Sequence, residues 1–169
     1  MPNVRSITTV MELVRTRLNA DTTLADYLKA VYIHQNEFWT KVPNVASPCI
    51  VLNDNGEPLT DIANSRNADK RVVRRFHNIE ITCLVRYPKA EVVLIGSNDT
   101  ENVNSIGIID FSHLVEAALN ADKMLQTAGV PAVDTLTYPG WQNIEIEQDK
   151  LFMVGRQTVL SYKGFQEAL

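Results

Sequence analysis

The most concentrated charge in this 169-residue chain is the run Lys70-Arg71-Val72-Val73-Arg74-Arg75, followed directly by Phe76 and His77. Cations packed this closely can hold nucleic-acid phosphate or an acidic protein surface. They equally fit a solvated loop edge leading into a strand. One aromatic pair is a weak platform for stacking bases. Glu145 and Glu147 stand two apart in a strand-like stretch, so both face the same way. Carboxylates paired like this serve either acid–base work or a solvated strand face. Asp54-Asn55-Gly56 opens like a calcium loop but lacks the remaining ligand spacing, and is expected to be a turn. His34, His77 and His113 are far apart, with no HxH or HExxH spacing and no Cys/His cluster, so no metal site is expected. Cys49 and Cys83 sit inside the apolar runs PCIVL and ITCLV without CxxC spacing, as buried free thiols do. Phosphate-cradle and nucleophile-elbow patterns such as GxGxxG and GxSxG are missing as well. The chain is therefore not expected to be an enzyme, and no cofactor is implied.

Composition suits one folded domain: hydrophobic residues make up 45% and charged residues 21%. No apolar run reaches the roughly 20 residues of a membrane-spanning helix, and the opening MPNVRSITTV has no secretory h-region. A cytoplasmic site of synthesis is the expectation. The net charge of −4 is unevenly spread: residues 1–89 carry 12 basic against 9 acidic side chains, and residues 90–169 carry 4 against 11. A basic front half and an acidic back half suit contact between unlike surfaces. A dedicated DNA binder would be basic overall.

Ile7, Val10, Met11, Val14 and Leu18 form one stripe at helical spacing, with Ser6 as N-cap and Asn19-Ala20-Asp21 as the end. A short second helical turn is expected from Thr22 or Thr23, with Asp26 in a loose capping box and Leu24, Leu28 and Val31 buried. The stretch YIHQNEFW reads as a strand followed by a loop, and CIVLN after Pro48 as a short buried strand. Residues 54–75 read as a long polar loop, of the kind that is usually functional or disordered. Ile79, Ile81, Cys83, Val85 and Tyr87 alternate with mixed residues in the clearest strand. Phe111, Leu114, Val115, Ala118 and Leu119 mark a second long helix, started by Asp110 or Ser112, continued by Leu125 and stopped by Gly129 and Pro131. NIEIE and LFMVGRQTVLSY form a closing hairpin in which Gly155 marks a bulge. Trp39 and Trp141 fall in loops and suit either the core or a subunit anchor. The fold class is α+β: a single domain over 1–169, with a small, mainly antiparallel sheet packed by an N-terminal helix and a second long helix.

This order resembles the bacteriophage tail terminator, or tail completion, proteins. The likeness lies in the amphipathic first helix, the proline-preceded strand SPCIVLND, a long variable loop, the strand NIEITCLVRYP, the late helix DFSHLVEAALNADKML and the terminal pair NIEIEQDKLFMVGRQTVLSY. It covers nearly the whole chain in element order and rests on no short diagnostic motif. The resemblance implies a structural virion protein of the tail–neck region, assembled in the host cytoplasm. Such proteins form a ring, usually of six copies, that caps the head-proximal end of the tail tube. The implied partners are further copies of the chain, the tail tube protein, the head connector or stopper protein and, in contractile tails, the sheath. Genomic DNA passes through the lumen without sequence-specific binding, and no membrane is involved. Lumens of such rings tend to be acidic, which makes Glu145, Glu147 and Asp149 channel candidates. Lys70, Arg71, Arg74 and Arg75, with Trp39 and Trp141, are then candidates for the subunit or tube interface. A head-completion or stopper protein is the near alternative, and a nucleic-acid-binding module using Lys70–Arg75 the distant one.

Overall fold

In the computed structural model the described residues are 6–34, 46–61, 72–87, 94–96, 105–146 and 152–168. The chain opens with helix α1 (Ile7–Ala20), whose first turn is closed by Ser6 Oγ accepting the Thr9 N–H at 3.3 Å. Its buried side is the anticipated stripe, Ile7, Val10, Met11, Val14 and Leu18. Asp21 ends α1 and at once caps α2 (Thr22–Ala25), its Oδ1 accepting the N–H groups of Thr23 and Leu24 at 3.0 Å. With the cap at Asp21, Asp26 lies past the end of α2 and closes no capping box. Val31 belongs to the first strand instead of to α2.

Seven strands follow: β1 (Ala30–Ile33), β2 (Cys49–Asp54), β3 (Leu59–Asp61), β4 (Val72–Tyr87), β5 (Thr135–Thr137), β6 (Gln142–Ile146) and β7 (Phe152–Ala168). Helix α3 (Ile108–Asn120) lies between β4 and β5 in sequence. The strands make one sheet in the order β1-β2-β4-β7-β5, with β3 added beside β4 and β6 beside β7. The β1–β2 pair is parallel and the other pairs are antiparallel.

The core lies between the helices and one face of the sheet. Ile79, Ile81, Cys83 and Val85 of β4, Ile50 and Leu52 of β2, and Leu160 and Tyr162 of β7 pack there against α1 and α3. The two helices are tied directly, with Arg17 Nε donating to the Ala118 carbonyl at 3.1 Å. The opposite face carries a smaller apolar cluster of Cys49, Val51, Leu84 and Met153. The cysteines point to opposite faces, because Cys83 pairs across with Ile50 and Cys49 with Leu84. Both are free, and burial pushes the Cys49 thiol up to about 12 and Cys83 well above its usual value.

Several boundaries differ from the sequence expectation. The segment 54–75 contains β3 and the first residues of β4, and its turn is itself held to the sheet. Asp54 Oδ1 accepts the Gly56 N–H at 2.7 Å, and Asn78 N–H donates to the Gly56 carbonyl at 3.0 Å. Helix α3 starts from Gly107 with no side-chain cap, not from Asp110 or Ser112, and a Cβ at 107 would collide with the Leu94 carbonyl. It stops at Asn120, so Leu125 reaches the core from a turn with φ +49° instead of from the helix, and Gly129 and Pro131 lie beyond the stop. The short strand β5 had no signal, and β7 continues past Tyr162 to Ala168.

Gly155 marks no bulge. It sits in regular register between Leu84 of β4 and Ile144 of β6. A Cβ there would stand 2.5 Å from Ile144 Cγ1 and 3.2 Å from Leu84 Cδ2. Gly155→Val should therefore cost about 2 kcal/mol in urea unfolding. The cost should shrink in an Ile144→Ala background, where the opposing side chain has been cut back. An equal cost in both backgrounds would remove steric crowding as the cause.

Candidate interface at the charged end of the two long strands

At the Val72 end of β4 three strands run together: β3, the start of β4 and the end of β7. Arg74 pairs with Gln166 but Phe76 pairs with Lys163, so β7 carries one extra residue and bulges here. Gly164 fits that bulge, since a Cβ would approach the Arg75 carbonyl oxygen to 2.9 Å.

Strand alternation sends Arg74 and Arg75 to opposite sides of this end. Arg75 stands between two carboxylates, with Nε 3.3 Å from Glu167 Oε1 and Nη1 3.9 Å from Glu57 Oε2. The other oxygen of Glu57 lies 2.8 Å from His77 Nδ1, and the His77 side chain is only 3% exposed. Arg74 Nη1 lies 3.7 Å from Asp134 Oδ2, which Lys163 Nζ also approaches to 3.7 Å. The Nε of Arg74 is buried with no hydrogen-bond partner. Arg75 is thus balanced by two acids of its own chain, whereas Arg74 and Lys163 share the single carboxylate of Asp134.

The other sequence candidates are dispersed. Lys70, Arg71 and Trp39 lie outside the described residues, as do Glu147 and Asp149. Glu145 is placed in β6 opposite Val154, and its side chain is outside the described set. Trp141 is half-buried against the helix-side core, and its Nε1 donates to Glu116 Oε2 of α3 at 3.2 Å. Tyr138 donates to the other oxygen of Glu116 at 2.7 Å and accepts from Asn120 Nδ2 at 2.9 Å. The segment between β5 and β6 is so clamped onto α3. Sequence reasoning missed both clusters, because Glu57, His77 and Glu167 share no local spacing, and neither do Glu116, Tyr138 and Trp141. Among the described residues no group of three or more His, Cys, Asp and Glu side chains could hold a metal ion. No helix of that set is long and apolar enough to cross a membrane.

No protein-family model matches the chain, and no curated protein matches it. Among solved structures, one chain of the virion of a native gene transfer agent particle is similar in arrangement. Its TM-score is 0.47 at 12% identity, covering 94% of this chain and 98% of that one. A likeness of that size carries no argument about function.

The His77 cluster has a pH signature. Burial pulls His77 below its usual value, and the hydrogen bond that Glu57 accepts from it opposes that pull without cancelling it. The folded state then holds His77 neutral where the unfolded chain takes up a proton. Its contribution to stability is complete above about pH 6.5 and declines as the pH falls through that value toward the lowered one. Urea midpoints measured from pH 7.5 to 5 should fall with acidity, and less so in His77→Gln. Glu57→Gln removes the group that raises His77 and should steepen the fall; a flatter profile there would contradict this account.

Proposed function

We propose that this chain is a structural subunit of a phage tail, a tail terminator that assembles as a ring, with six copies as the expected number. The ring caps the head-proximal end of the tail tube, ends its growth and offers the surface for head joining. One observation supports this reading above the others. The order of a helix, a proline-preceded strand, a long strand, a second helix and a terminal hairpin folds into one mainly antiparallel sheet with both long helices on one face. That is the architecture expected from the resemblance drawn on the sequence.

The partners are further copies of the chain, the tube protein, the head connector or stopper and, where present, the sheath, with DNA passing through the lumen. In this reading the β6–β7 connection, with Glu145, Glu147 and Asp149, faces the channel, where acidic walls repel DNA phosphate and let it slide. Arg74 and Arg75 shape the charged end of the β4–β7 pair through their internal ion pairs. Lys70 and Arg71, which directly precede β4 in sequence, are in this reading the side chains that meet the tube or a neighbouring subunit. Trp39 and Trp141 complete the interface candidates.

The test uses purified protein and tail tubes polymerised without a terminator. Light scattering and negative-stain imaging should show rings or capped tubes, with tube length fixed by addition of the protein. The double variant Lys70→Glu/Arg71→Glu, which leaves the Arg74 and Arg75 ion pairs intact, should lose capping by more than about tenfold. Tubes that keep growing in the presence of the wild-type protein would refute the terminator role. Retention on tailless heads instead of headless tails would assign a stopper role.

A further inference from the structure

Helix α3 begins beside a cleft of mixed polar and apolar lining and ends in an apolar knob. The cleft, about 620 Å³, opens between α2, the segment 94–96 and the first turns of α3, and its lining mixes Tyr27, Ile95, Ile106 and Leu114 with Asp110 and His113. Two glycines build it by letting backbones touch. A Cβ at Gly96 would stand 2.5 Å from the Ser105 carbonyl oxygen, and one at Gly107 would collide with the Leu94 carbonyl. Around the cleft Leu94, Ile95 and Ile109 stand open to solvent, Ile95 by 63%.

The knob is the turn after α3. Asp122 Oδ2 accepts the Gln126 N–H at 2.8 Å, and Thr127 and Val130 pair in a small bridge. Leu125 and Ala128 both take left-handed backbone, at φ +49° and +51°, a conformation that is costly for residues other than glycine. Leu125 is buried in the core and anchors the turn, while Met124 and Val130 project outward, Val130 by 60%. Five of the six large apolar side chains most exposed among the described residues therefore lie at the two ends of one helix. Apolar patches of this kind mark contact surfaces.

Each end also offers one exposed charge, that of the knob beside the half-buried Asp122 that holds its turn. Asp110 is exposed beside the cleft and Lys123 is exposed on the knob, and neither has an ion-pair partner among the described residues. We infer that the occupant of the cleft is the Met124–Val130 turn of a second copy of this chain, with Lys123 of one subunit set against Asp110 of the next. Cleft and knob are different surfaces, about 20 Å apart along a helix of 13 residues. The contact is therefore head-to-tail, and repeats until a ring closes. The inference rests on the ring reading above and names the surfaces that would make the ring.

The intact chain carries its own control for a crosslinking test, since Cys49 and Cys83 are buried. Ile95→Cys/Met124→Cys should give a ladder of disulfide-linked species up to the ring number on mild oxidation, and neither single variant should go past a dimer. Asp110→Lys or Lys123→Asp alone should weaken self-association by more than about tenfold, and the double exchange should restore it. Rings that form normally in both charge variants, with no ladder from the cysteine pair, would overturn this interface while leaving the ring reading intact. A wild-type chain that stays monomeric alone and on tail tubes would overturn both.

Discussion

The antiparallel pairing of β4 with β7 is the constraint on which the other elements depend. These are the two longest strands, and they stay in register from Tyr87–Phe152 to Val72–Ala168 with a single shift. Strands β2 and β3 attach to the free side of β4, and β5 and β6 to the free side of β7. Helix α3 lies between the two partners in sequence, so closing the pair also fixes where that helix lands. Arg156 of β7 then reaches up to Ser112 of α3, its Nη1 donating to Oγ at 2.7 Å. Pairings between residues this far apart close large loops before they gain contacts, which makes such sheets slow to form and cooperative once formed.

One rung of the sheet shows how tightly the second face is fitted. Cys49, Leu84, Gly155 and Ile144 lie side by side on four successive strands. The glycine leaves room for Ile144 to lean across toward Leu84, which a side chain of any size would prevent. Steric fit at one residue thereby ties the closing hairpin to the middle of the sheet. The other glycine of β7, Gly164, solves a different problem by admitting the extra residue near the charged end.

Where a single face is buried, the sequence is legible. The stripe of α1 and the alternation of Ile79, Ile81, Cys83 and Val85 follow from periodicity, because each side of those elements meets one environment. Periodicity is silent where backbone is satisfied by partners far away in the chain. The turn at Asn55 and Gly56 bonds to Asn78, so a polar stretch that reads as loop is held as an extension of the sheet. The start of α3 is set by a backbone approach at Gly107, not by a capping side chain, and leaves no polar signal. The charged end was legible only as a run of cations; the acids that balance it, Glu57, Asp134 and Glu167, come from three separate parts of the chain.

These internal pairings change what the charge asymmetry can mean. Part of the basic front half is answered within the molecule, since Arg74 and Arg75 meet Asp134 and Glu167 of the acidic back half. Ion pairs of this partly exposed kind add little to stability but fix the geometry of the strands that carry them. Surfaces available for assembly are then better sought where apolar groups remain uncovered, at the ends of α3. That helix is held along its length by Arg17, Arg156, Tyr138 and Trp141. In a head-to-tail ring, such clamping would fix the angle between one contact and the next. The number of subunits would then depend on internal clamps such as Arg17 and Arg156 as well as on the contacts themselves.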